Sequence, residues 1–84
     1  MVRWDRFLFS DFAFDEGIEE KLARHGIRFY EAVECFYNPF KVRRNKQFDD
    51  RFQLQGITDA GRRLNIIFQL KPKGAIRIIT GWEI

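Results

Sequence analysis

Cationic side chains close to polar groups are the residues in this sequence with the greatest capacity for chemistry. Lys21, Arg24 and His25 lie in one segment, Arg62 flanks a turn motif, and Arg77 lies in a run of isoleucines. An imidazole with an ordinary pKa of about 6.5 can act as acid or base, and arginine can bind a phosphate through two N–H groups. This inventory suits metal-independent cleavage of RNA, which needs an acid, a base and cations near the transition-state charge.

The same inventory divides into two groups of candidates. The predicted catalytic residues are His25, Arg62 and Arg77. The predicted RNA-binding residues are Lys21, Arg24, Lys41, Arg43, Arg44 and Arg51.

Structural interpretations of the predicted catalytic residues stay open. His25 directly precedes Gly26, and a charged imidazole there would complement a helix C-terminus. Arg62 flanks a hairpin turn and can simply be solvated. For Arg77 the structural alternative is an ion pair with Asp49, Asp50 or Glu83.

Other reaction classes find little support in the sequence. One histidine and one cysteine, ten positions apart, cannot supply a four-ligand metal site, so no metal or cofactor is expected. Ser10 lacks the surroundings of a nucleophile elbow, and the glycines are spaced as turn residues rather than as a phosphate-binding loop. The lone Cys35 is interpreted as a small buried side chain.

Charge is distributed unevenly along the 84 residues, whose net charge is +3. Residues 1–40 hold five Lys/Arg and eight Asp/Glu, whereas residues 41–84 hold ten and four. The basic half is a candidate for binding a polyanion. No apolar run approaches the ~18 residues of a membrane span, and with no cysteine pair the sequence predicts a soluble cytoplasmic protein.

Residues 51–82 predict three antiparallel strands joined by two turns. Phe52 and Leu54 alternate with polar residues in the first strand, which is the period of a half-buried strand. Matching the apolar faces predicts Leu54 opposite Ile66 and Phe68 opposite Ile76. The same register predicts a polar row of Gln53, Ile67 and Arg77, and it places Trp82 on the apolar face with Ile76 and Ile78.

The preceding residues predict a helical hairpin and two further strands. A first helix is predicted over 15–25, with Asp15 as its N-cap and Gly26 as its C′ residue. Phe29, Ala32, Val33 and Phe36 form the apolar stripe of a second helix that ends at Asn38-Pro39. Residues 7–14, with a bulge near Ser10-Asp11, and residues 40–46 are predicted strands. The fold class is therefore α+β: a helical hairpin packed on a mainly antiparallel, twisted sheet of about four to five strands.

An ordered series of residues in this chain resembles the BrnT family. The series is Phe14-Asp15, 21–27 (KLARHGI), Phe29 to Ala32 (FYEA), Phe36, Asn38-Pro39, Arg51, Leu54, Gly56, Thr58, Gly61-Arg62, Leu64 and 76–80 (IRIIT). Members of that family are toxins of type II toxin–antitoxin modules with a RelE-like fold. The resemblance covers roughly residues 12–82.

The resemblance implies metal-independent endoribonuclease activity and neutralisation by a cognate antitoxin protein. It also implies that Lys21, Arg24, His25, Arg51, Arg62 and Arg77 contact RNA or catalyse its cleavage. Gly81 and Trp82 depart from the Ala-Arg pair usual in the family, and 1–84 is expected to be a single domain without the family's C-terminal helix. A non-catalytic RNA- or protein-binding module of the same fold is the alternative, and Trp82 or the exposed sheet could support a homodimer.

Overall fold

The computed structural model describes residues 12–13, 16–45, 47, 50–71 and 75–84. In chain order the elements are β1 (Phe12–Ala13), α1 (Glu16–Ala23), α2 (Phe29–Tyr37), β2 (Lys41–Arg44), β3 (Arg51–Ile57), β4 (Arg63–Leu70) and β5 (Ile76–Glu83). The strands form one sheet in the order β1-β5-β4-β3-β2, in which β1 is parallel to β5 and the other pairs are antiparallel. The predicted α+β fold, with two consecutive helices on a mainly antiparallel sheet, is confirmed.

The second helix follows its predicted pattern closely. Ala32, Val33 and Phe36 are buried, and the helix ends at Tyr37, one residue before Asn38. At its start the Glu31 carboxylate accepts the backbone N–H of Arg28 at 2.9 Å, which satisfies a donor that the helix itself leaves free. The sequence therefore predicts both the buried stripe and the C-terminal end of α2.

The first helix is shorter than the predicted span of 15–25. It ends at Ala23, and residues 24–26 form a turn in which Gly26 has φ +73°. The left-handed glycine is where the sequence placed it, but His25 belongs to the turn because the helical hydrogen bonds stop earlier. The predicted cap Asp15 and the predicted bulge near Ser10-Asp11 lie outside the described residues. Of the predicted strand 7–14, only β1 is described.

The core lies between the two helices and one face of the sheet. Phe52, Leu54, Leu64, Ile66, Phe68, Ile76 and Ile78 are buried on that face. Phe36 of α2 meets Phe68 edge to face, with ring centroids 5.1 Å apart. Cys35 is fully buried here, and burial raises the pKa of its thiol to about 12. No helix among the described residues is long and apolar enough to cross a membrane.

A register shift between β4 and β5 corrects part of the predicted pairing. Leu54 does lie opposite Ile66, but Phe68 lies opposite Ile78 rather than Ile76. Ile67 pairs with Thr80, so one extra residue, Ile79, is inserted in β5 at the shift. The predicted row of Gln53, Ile67 and Arg77 was therefore wrong in its last member, because Arg77 lies opposite Gln69.

The same bulge reverses the faces of β5 beyond it. Gly81, opposite Ile66, faces the helices, since a Cβ built there would be 3.4 Å from Leu22 Cδ2. Trp82 therefore lies on the other face, opposite Asn65. The prediction that Trp82 shares the apolar face of Ile76 and Ile78 was wrong, because alternation counted from the sequence takes no account of an inserted residue.

Candidate nucleic-acid interface

The sheet face away from the helices is polar, and we call it the polar face. It consists of the alternate residues of β2 to β5 that pair across the sheet: Lys41, Arg43, Arg51, Gln53, Gln55, Ile57, Arg63, Asn65, Ile67, Gln69, Arg77, Thr80 and Trp82. Both described helices pack on the opposite face. Strand alternation thus separates an apolar core from a surface rich in hydrogen-bonding groups.

Five cations lie on the polar face: Lys41, Arg43, Arg51, Arg63 and Arg77. Among the described residues no carboxylate lies within this face, and Asp50 lies at its edge, directly before β3. Lys41, Arg43 and Arg63 are exposed and make no ion pair within 4 Å in the described part of the chain. A surface of one charge sign attracts a polyanion and raises its local concentration.

Arg77 belongs to a row of polar residues at the Asp50 end of this face. Arg51 pairs with Gln69, and Gln69 pairs with Arg77. Gln69 Nε2 donates to the Asp50 carboxylate at 2.6 Å, and Arg77 Nη1 donates to Gln69 Oε1 at 3.5 Å. Two guanidinium-bearing residues, an amide and a carboxylate are therefore adjacent, and we call these four residues the Arg77 cluster.

A cleft beside the Arg77 cluster adds one predicted RNA-binding residue. It measures about 210 Å3 and is lined by Gly17, Ile18 and Lys21 of α1 and by Arg77, Ile78 and Ile79 of β5. Lys21 and Arg77, which are 56 positions apart in the sequence, thus share one cleft. The fold therefore brings a predicted RNA-binding residue of α1 next to a predicted catalytic residue of β5.

Arg62 lies on the helix side of the sheet and is held by two carboxylates. Its Nη1 donates to Glu31 at 2.8 Å and to the Gly26 carbonyl at 3.1 Å, and its Nη2 donates to Glu83 at 3.1 Å. The hydrogen bond from the Arg28 N–H, together with Arg62, lowers the pKa of Glu31, and the two carboxylates raise the pKa of Arg62. With its charge balanced in this way, Arg62 joins the α1–α2 turn and α2 to the end of β5.

His25 lies in the exposed α1–α2 turn, next to Gly26 and therefore at the Arg62 end of the molecule. Arg62 binds Glu83, which is six residues from Arg77 along β5, or roughly 20 Å of strand. The structure does not bring the three predicted catalytic residues His25, Arg62 and Arg77 into one site.

The remaining predicted RNA-binding residues are divided between the two sides. Lys41, Arg43 and Arg51 lie on the polar face. Arg24 is exposed on the helix side and pairs with Glu20 at 3.3 Å, while Arg44 lies at the sheet edge over the Phe52 ring, 5.7 Å from its centroid. Within the described ranges, no group of three or more His, Cys, Asp or Glu side chains is placed to hold a metal ion.

The sequence did not predict Arg63 as part of the interface, and it predicted Asp50 only as a structural ion-pair partner of Arg77. Arg63 has the same parity as Asn65 and Gln69, so alternation in β4 was a signal that could have placed it on the polar face. Asp50 directly precedes β3, and its contact with Gln69 depends on a strand pairing that no local pattern specifies.

Comparisons with protein-family models, with curated proteins and with solved structures found no match for this chain.

Proposed function

We propose that this protein is a BrnT-like toxin of a type II toxin–antitoxin module, a metal-independent endoribonuclease that binds and cleaves RNA on its polar face. The residue series that resembles that family, the α+β fold of two helices on a mainly antiparallel sheet and the basic polar face support the proposal. A cytoplasmic location and a cognate antitoxin protein belong to the same proposal.

The observation that carries the RNA-binding part is the concentration of five cations on one sheet face, three of which (Lys41, Arg43 and Arg63) are exposed and form no ion pair in the described part of the chain. Contacts between Lys or Arg and phosphates release counterions, which makes binding favourable and dependent on salt. Gln53, Gln55 and Asn65 add amide groups to the same surface. By contrast, the helix side pairs Arg62 with Glu31 and Glu83, so a phosphate there would compete with two carboxylates.

The Arg77 cluster is the proposed site of cleavage. Arg51 and Arg77 would bind the phosphate and stabilise the charge of its transition state, and the Lys21 ammonium could reach the same charge from the cleft. The Asp50 carboxylate, beside Gln69, would accept the proton of a 2′-hydroxyl as its oxygen bonds to phosphorus; the bond from phosphorus to the 5′-oxygen breaks, and that oxygen takes a proton from water. The resemblance assigns catalysis also to His25 and Arg62, and these two assignments stay predictions.

The second candidate function is a non-catalytic module that binds RNA or a partner protein through the same face. The separation of His25 and Arg62 from Arg77 favours it, since fast cleavage is helped by a positioned acid at the leaving 5′-oxygen and none of the four residues of the Arg77 cluster supplies one. Homodimer formation through the exposed sheet or the Trp82 region is part of this alternative.

Cleavage of a labelled single-stranded RNA by purified protein, with EDTA present, tests the proposal. Arg77→Ala should lower the rate by on the order of 10²-fold while leaving the circular dichroism spectrum unchanged. Arg24→Ala is the matched control, because it removes the same charge from the helix side and should have little effect. His25→Ala in the same series reports whether the imidazole takes part.

Each outcome separates the candidates. Cleavage that is lost in Arg77→Ala only, together with growth arrest on expression of the wild type, would support the toxin assignment. RNA binding without cleavage would select the non-catalytic module. An equal loss of binding in Arg24→Ala and Arg77→Ala would move the RNA to a path that includes the helix side.

A further inference from the structure

The end of the polar face opposite the Arg77 cluster combines an exposed aromatic ring with two cations that form no ion pair in the described part of the chain. The bulge at Ile79 places Trp82 in a row with Asn65, Gln55 and Lys41. Trp82 is 37% exposed and its direct neighbour Asn65 is 8% exposed, while Gln55 and Lys41 at the far end of the row are exposed, so the ring lies at the surface. An indole on a basic surface is the kind of platform on which a nucleobase stacks.

A cleft of about 300 Å3 adjoins this row. Its lining combines apolar residues with two cations: Pro39, Phe40, Lys41, Gln55, Gly56, Ile57, Arg63 and Ile84. Arg63 lies diagonally across from Trp82 on the neighbouring strand, about 7 Å away at Cα, and Lys41 lies three strands from Trp82, roughly 14 Å. Two side chains able to bind phosphate therefore line a partly apolar cleft, and one of them, Arg63, lies on the strand next to Trp82.

We propose that Trp82, Arg63 and Lys41 form a subsite for single-stranded RNA, in which the indole stacks on one base and the two cations hold flanking phosphates. The next nucleotide along the chain would occupy the cleft. This inference rests on the proposed RNA binding of the polar face. It assigns the end of the polar face near Trp82 to binding the RNA rather than to cleaving it. Trp82 is five residues from Arg77 along β5, roughly 15 Å, so this subsite contacts nucleotides other than the one that is cleaved.

Tryptophan fluorescence gives a direct test. In a Trp4→Phe background Trp82 is the remaining tryptophan. The probe is a mixed-sequence 2′-O-methyl oligoribonucleotide of about six residues, which cannot be cleaved through its 2′-oxygen and matches the length that single-stranded-binding domains cover. Binding should quench Trp82, and fluorescence anisotropy of a labelled probe gives the affinity independently.

Variants separate stacking from charge. Trp82→Ala should weaken binding by about 5- to 100-fold and Trp82→Phe by much less, since either ring can stack. Arg63→Ala should lower the slope of log affinity against log salt concentration by about 0.7, the value for one phosphate contact to a single strand. Tyr30→Ala is the matched control, because this aromatic side chain is 59% exposed on α2, on the helix side.

In cleavage assays Trp82→Ala should raise KM with little change in kcat, whereas Arg77→Ala should lower kcat. Probe binding that is lost in Arg77→Ala but unchanged in Trp82→Ala and Arg63→Ala would overturn the subsite and leave the proposed function intact. No binding of the probe or of natural RNA by the folded wild type would overturn both. Quenching of Trp82 by a free nucleoside monophosphate to the same extent would show a nucleotide pocket rather than a strand-binding subsite.

Discussion

Gly81→Ala tests the bulge on which the position of Trp82 depends. With the bulge, residue 81 faces the helices, and an alanine Cβ would lie 2.8 Å from Ile66 Cδ1 and 2.9 Å from the Asn65 carbonyl oxygen. The Ile66 methyl can move, but the Asn65 carbonyl belongs to the neighbouring strand and can yield only if the sheet shifts. Overpacking of this kind costs roughly 1–3 kcal/mol. For a domain of this size that cost corresponds to a fall in Tm of roughly 4 to 24 °C.

The opposite result follows from regular alternation. Without the inserted Ile79, residue 81 would lie on the polar face, and replacing glycine in a strand by alanine would stabilise the protein by about 0.5–1 kcal/mol. Thermal unfolding followed by circular dichroism distinguishes the two signs. A Gly81→Ala protein as stable as the wild type would refute the bulge and with it the placement of Trp82 on the polar face.

Two further variants serve as controls for that measurement. Gly17→Ala introduces a Cβ in α1 that meets nothing within 4 Å, so it should raise stability by about 0.5–1 kcal/mol. Ile66→Val removes the Cδ1 atom nearest to the new methyl group. Combined with Gly81→Ala, it should cost less than the sum of the two single changes, because the added methyl fills part of the space that is vacated.

Two other predictions concern titratable groups. Cys35 in the folded protein should resist iodoacetamide at about pH 8 and react once the protein is denatured, since burial raises its pKa to about 12 and the thiolate is the reactive form; rapid labelling of the folded protein would contradict the burial. Glu31 has a lowered pKa, so its stabilising contribution is complete above its ordinary value of 4.5 and is lost as the pH falls through the lowered folded value. Urea unfolding of Glu31→Gln should therefore show lower stability at neutral pH and a smaller loss on acidification than the wild type, and parallel acid profiles would contradict the linkage.

The sequence predicts the fold class because its periodic segments coincide with the observed elements. The stripe of α2 and the alternation of β3 depend on neighbouring residues only, and both lie where the pattern placed them. The pairing of β4 with β5 depends on an inserted residue whose apolar side chain, Ile79, resembles those around it. A local pattern therefore predicts each strand, but not the change of register that moves Trp82 from one face to the other.

The candidate site is less predictable, because side chains from distant segments complete it. Arg77, a predicted site residue, lies beside Gln69, whose amide contacts Asp50 and which pairs with Arg51; its functional role stays a prediction. Its partner Gln69 became apparent only from the observed register. The family resemblance grouped His25 with Arg77 by order along the chain, and order does not determine distance in a sheet whose last strand is roughly 25 Å long.

Arg62 and Arg63 show how adjacent cations acquire different chemistry. The turn Thr58 to Gly61 brings the chain into β4 so that Arg62 meets the helix side and Arg63 begins the alternation of the polar face. On the helix side the acidic residues of the first half supply Glu31, which joins Glu83 in balancing the guanidinium charge. On the polar face no described carboxylate reaches Arg63, so its charge is available to a ligand. Two alanine variants test this contrast. Arg62→Ala should lower the free energy of unfolding with little effect on the salt dependence of RNA binding. Arg63→Ala should reduce that salt dependence with little effect on the free energy of unfolding.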